Sequence, residues 1–101
     1  MRYKIKYQTR GKVESYIAAV TSLVASLNGF FEEHELGSTL QNIADYVEEM
    51  AATTAKDLTA KPQCEIEHNN LSVYNTLGRE ILTVWFERVY DNGWGGQVKR
   101  L

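Results

Sequence analysis

Cys64, His34 and His68 are the residues of this chain best suited to chemistry. A cysteine beside a histidine makes a nucleophile and its base, and cysteine, histidine and carboxylate together make a metal-ligand set. The spacing favours neither. Glu33, His34 and Glu35 are adjacent in sequence and do not readily converge on one ion. Cys64 and His68 fall on the same face of the alternating segment Cys64-Glu65-Ile66-Glu67-His68, yet an extended chain separates them by about 13 Å. There is no Gly-x-Ser-x-Gly elbow, no glycine loop for phosphate and no second cysteine. The residues therefore predict a non-enzymatic protein with no cofactor and no metal, in which Cys64 is a buried, inert thiol.

Charge placement is more informative. Arg2, Lys4, Lys6 and Arg10 occupy even positions, while Met1, Tyr3, Ile5, Tyr7 and Thr9 occupy odd ones. Successive side chains of a strand point to opposite faces, so this segment predicts a ribbon with one apolar and one cationic side. The charge is +5 over residues 1–12, −7 over residues 13–58 and balanced over residues 59–101. Cations about 6–7 Å apart along one side can track a phosphate backbone. Two structural readings compete with that: pairing across strands with Glu65 and Glu67, and lysines guarding a sheet edge. Tyr3 and Tyr7 fall on the face away from the cations, which counts against a single-strand nucleic-acid platform.

Two further candidate surfaces stand beside the basic strand. Asp45, Glu48 and Glu49, with Glu32, Glu33 and Glu35 nearby in sequence, form an acidic helix surface that suits a basic protein or simply water. Trp94 lies in Asn92-Gly93-Trp94-Gly95-Gly96, where it either anchors in a partner's pocket or folds back to seal the core. Trp85 beside Phe86 puts aromatic side chains on both faces of the last strand, one of them exposed or at a subunit contact.

The elements that must position these groups follow from periodicity. Val13, Ile17, Val20, Val24, Leu27 and Phe31 recur at helical spacing, with Tyr16, Leu23 and Phe30 as a second stripe. Ser38-Thr39-Leu40-Gln41 has the capping-box pattern and opens a second helix. That helix turns Leu40, Ile43, Val47, Met50, Thr54 and Leu58 inward, with Gln41, Asp45, Glu48, Glu49, Ala52 and Lys56 outward. Pro62 ends it. Cys64–His68 and Leu71–Tyr74 alternate around an Asn69-Asn70 turn, and Thr76–Arg79 marks a second turn. Residues 80–90, rich in β-branched and aromatic types, predict a strand, although Leu77, Ile81, Val84 and Trp85 also match a helical face.

The fold class expected is α+β. An antiparallel sheet, made of the N-terminal strand and a C-terminal β-meander, packs against an antiparallel two-helix hairpin. At 101 residues this is one domain, with residues 91–101 a glycine-rich tail. No apolar run approaches the ~20 residues of a membrane span, no apolar leader follows the N-terminal charges, and the cysteine is single. A cytoplasmic protein with no membrane contact is expected. The functional expectation is a small protein that binds another protein, as an inhibitor or adaptor of the kind phages and mobile elements carry. The alternative is nucleic-acid binding through the basic strand face. An open sheet and an apolar-rich hairpin also predict a homodimer.

Overall fold

The computed structural model describes residues 1–54 and 61–90. Along the chain it contains β1 (Arg2–Thr9), α1 (Ser15–Ser26), β2 (Phe31–Glu32), a 3-10 turn (Glu33–Glu35), α2 (Leu36–Thr54), β3 (Gln63–Glu67), β4 (Asn70–Tyr74) and β5 (Glu80–Val89). The strands form one antiparallel sheet in the order β2-β1-β5-β4-β3. The α+β class and the sheet-against-helices arrangement are those the sequence pattern predicts, and residues 80–89 are a strand.

One face of the sheet meets the helices. Ile17, Val20 and Val24 of α1 and Leu40, Ile43, Val47 and Ala51 of α2 enclose Leu71 and Val73 of β4 and Leu82 and Val84 of β5. Burying each of the larger side chains contributes roughly 1.5–3 kcal/mol. Ile5, Phe86 and Cys64 pack against the margin of this cluster. Ile81 and Leu82 are both buried, beside an irregularity in the β4–β5 ladder at Val73/Tyr74. No helix among the described residues is long and apolar enough to cross a membrane.

Several boundaries differ from the sequence pattern. The α1 helix stops at Ser26, where the Leu27 amide turns back to the Val24 carbonyl at 3.0 Å. The Asn28-Gly29 pair that follows is a poor helix former, and the chain becomes extended instead. Val13 lies ahead of the helix, which begins only at Ser15, and is exposed, while Phe31, beyond its other end, becomes a strand residue opposite Tyr3. Its ring meets Phe86 edge to face, centroids 5.3 Å apart. Two residues are too few to show a period, so β2 was not foreseen.

The capping box is also elsewhere. Glu35 accepts a hydrogen bond from the Glu32 amide at 2.8 Å, and the reciprocal bond completes a box around the 3-10 turn that leads into α2. Ser38 sits inside the helix, its hydroxyl donating to the Glu35 carbonyl at 3.1 Å. The inward set on α2 holds for Leu40, Ile43 and Val47, with Leu36 added ahead of it. Lys56 and Leu58 lie outside the described residues, as do Trp94 and the whole of 91–101.

Both meander turns have a local cause. The central residues joining β3 to β4 are His68 (φ 52) and Asn69 (φ 59), not Asn69 and Asn70. Two consecutive left-handed residues are what a two-residue hairpin needs to match the twist of its strands. Between β4 and β5, the Asn75 side chain accepts from the amides of Leu77 and Arg79, each at 3.0 Å. Gly78 closes that turn at φ +77, a region where a Cβ is strained.

Candidate functional site

Register decides which side chains share the sheet face that no described element covers. Opposite the helices, β1 presents Arg2, Lys4, Lys6 and Gln8, and β5 presents Val89, Glu87, Trp85 and Thr83 directly across from them. Beyond β5 come Ser72 of β4, paired with Thr83, and Glu65 of β3, paired with Ser72. One step along, Asn70 follows the Leu71–Val84 pair into the row of Trp85, and Glu67 pairs with Asn70. The sheet is thus crossed by a row running Lys6, Trp85, Asn70, Glu67. A second row runs Gln8, Thr83, Ser72, Glu65. No residue in either row is buried.

The expected pairing of the cationic strand with Glu65 and Glu67 does not occur. β1 lies between β2 and β5, and β3 is the far edge strand. Alternation assigns a residue to a face but says nothing about which strand becomes its neighbour. The face is consequently dipolar, basic along β1 and acidic along β3.

The basic end has an aromatic lid. Phe30 precedes the Glu32–Arg2 and Phe31–Tyr3 pairs, which places it opposite Lys4. The Arg2 guanidinium lies 4.5 Å and the Lys4 ammonium 4.9 Å from the centroid of its ring. Lys4 also donates to the Asn28 carbonyl. Phe30 itself is half exposed. Cations and aromatics therefore do share a platform, through Phe30 and Trp85 rather than through Tyr3 and Tyr7.

At the acidic end a shallow groove of about 330 Å³ is lined by Glu65, Glu67, His68, Asn70, Ser72 and Tyr74. Among the described residues Lys6 and Glu65 have no hydrogen-bonding or charged side-chain partner. Glu67 meets the His68 ring at 3.6 Å, both side chains well exposed.

The remaining candidates do not join this surface as one cluster. Arg10, just past the end of β1, has its Nε 3.5 Å from Glu80, which also accepts from the Thr83 hydroxyl at 2.9 Å. Asp45, Glu48 and Glu49 are exposed on α2, in the layer on the other side of the sheet. The basic strand and the acidic helix are two separate surfaces.

Cys64 faces the helices. Burial, followed by the carboxylates of Glu48 and Asp45, pushes its thiol up from 9.0 to about 11. At neutral pH such a group is a thiol, a weak nucleophile. His68 leaves strand geometry in the hairpin turn, so it does not repeat the Cys64 orientation as the sequence alternation implied.

Trp85, Phe30 and Glu67 are the residues that sequence reasoning did not place in the site. For Trp85 a signal was present, since its neighbour Phe86 had to take the opposite face. Phe30 was hidden by an apparent helical stripe that the chain does not follow. Comparison of the chain with protein families, with curated proteins and with solved structures finds no match to any of them.

Proposed function

We propose that this protein is a non-enzymatic binding module that acts by covering the surface of another protein, with the outer face of its sheet as the contact. The observation that carries this reading is the row Lys6, Trp85, Asn70, Glu67. A large aromatic sits at the centre, with a cation on one flank and a carboxylate on the other. Central aromatic anchors surrounded by polar groups are how protein interfaces concentrate their binding energy. Charge of both signs suits a protein surface, which carries both, better than a uniform polyanion. The test is capture on immobilised full-length chain, comparing the wild type with Trp85→Ala. The expected outcome is a protein retained by the wild type and lost with Trp85→Ala. Retention that is indifferent to Trp85 would reject this face as the contact.

Nucleic-acid binding is the second reading. The observation favouring it is the shared platform of Arg2, Lys4, Lys6, Phe30 and Trp85, which combines stacking rings with cations. Glu87 opposite Lys4, and Glu65 and Glu67 across the sheet, oppose it by repelling phosphate. With three cations engaged, affinity for a single strand would fall with a log–log salt slope of about −2. A mobility-shift titration with a single-stranded oligonucleotide at low salt, yielding no complex, removes this reading.

A further inference from the structure

We propose that the occupant of the outer sheet face is a second copy of this chain, packed across a two-fold axis that runs parallel to β5. This rests on the reading of that face as a protein-binding surface and names its partner. The argument is one of symmetry. β5 is the middle strand of five, with β1 and β2 on one side and β4 and β3 on the other. A two-fold axis lying in the interface and parallel to β5 exchanges left and right while keeping position along the strand. It therefore sets β1 of one copy over β4 of the other, and β2 over β3.

Position along the strand is what makes the match specific. Lys6, Trp85, Asn70 and Glu67 occupy one level of the sheet. Under this operation Trp85 meets the partner's Trp85 at the axis. Lys6 comes over the partner's Asn70, one strand short of the partner's Glu67, and the reciprocal contact forms on the other side. Strands are about 4.8 Å apart and facing sheets about 10 Å apart, a separation that an extended lysine and glutamate bridge together. The groove lined by Glu65, Glu67, Asn70, Ser72 and Tyr74 is the recess that receives the incoming lysine. Lys6, without a partner among the described residues of its own chain, gains one. Glu87 recurs near the axis, with Lys4 of its own copy directly across from it.

An axis perpendicular to the strands instead would lay β1 on the partner's β1 and oppose like charges. Charge therefore selects the axis parallel to the strands over the one perpendicular to them. The interface is isologous, so each substitution acts twice per dimer.

The decisive experiment is light scattering coupled to size exclusion on the full chain at about 100 µM, with the wild type, Lys6→Glu, Glu67→Lys and an equimolar mixture of the two variants. Both positions are exposed, and thermal melts confirm that each variant is folded. The wild type is expected at twice 11.5 kDa and each variant at 11.5 kDa. Lys6→Glu sets carboxylate against carboxylate, and Glu67→Lys sets ammonium against ammonium. Mixed, the two variants match each other at both contacts, so the mixture is expected to regain the doubled mass. A monomeric wild type overturns the proposal, as does a dimer that persists in both variants or a mixture that stays monomeric. A monomer that still captures another protein through Trp85 rejects only the second copy. A monomer whose captures ignore Trp85 rejects the binding face as well.

Discussion

From Leu82 to Trp85 in β5, consecutive residues live in different environments. Leu82 and Val84 are fully buried beneath the helices, whereas Thr83 and Trp85, their immediate neighbours, lie on the side that no described helix covers. A strand's period of two divides the work. The inner side holds the protein together, while the outer side is free to carry polar and aromatic groups that folding does not demand. A large aromatic there is the informative exception, because it is the residue type an interface core prefers.

The sharpest way to break this division is one substitution made at adjacent positions. Val84→Asp buries an unpaired carboxylate among apolar side chains and is expected to abolish the cooperative thermal transition. Trp85→Asp is expected to leave a folded protein with a melting temperature lower by only a few degrees. Equal losses at both positions would mean that both sides of the sheet are core.

A milder pair comes next. Leu82→Ala is expected to lose about 2–5 kcal/mol in denaturant unfolding, and Thr83→Ala no more than about 1 kcal/mol. Away from both faces, Gly78→Ala tests the left-handed turn that sets the β4–β5 register and is expected to lose about 1 kcal/mol.

Alkaline pH sharpens the comparison in another way, because the groups with displaced titration lie on the inner side or among the helices. Cys64 is pushed up to about 11. Tyr16 is pushed up to about 12 by burial, then by the charge of Glu14 and a hydrogen bond to it. Both are acids whose neutral form the fold favours, so the unfolded chain releases these protons first. Their contribution to stability is complete below about pH 9 and is lost as pH rises from 9 to 12. Unfolding followed against pH should show this alkaline flank, and Cys64→Ala should move its onset upward. The smallest effect is expected at the outer face, where Lys6→Glu changes the stability of the monomer by no more than about 0.5 kcal/mol.

Much of the fold was legible in the residues. The N-terminal alternation and the Leu40 and Val47 stripe each carry a period that one element satisfies, and the run from residue 80, which also fits a helical face, is tipped to a strand by its β-branched and aromatic residues. Where the reading failed, the local signal was short or ambiguous. Phe30 and Phe31 continue the α1 period numerically, yet Asn28-Gly29 ends the helix before them. Ser38 has a capping sequence, but the Glu32–Glu35 box starts the helical turn earlier. For the site, the cations on β1 were identified, while their neighbours were misassigned because Glu65 and Glu67 alternate in a complementary way two strands too far off.

What the chain determined by itself is facing: which residues of each strand and helix turn inward, because burial of apolar surface repeats with the period of the element. Adjacency belongs to the tertiary structure alone. Whether Lys6 has a glutamate or Trp85 beside it depends on strand order and register, which are settled by how β5 inserts between β1 and β4 and by the turns at His68-Asn69 and Gly78. Those long-range pairings leave no periodic trace in the residues themselves, and the dipolar face with an aromatic centre exists only once they are made.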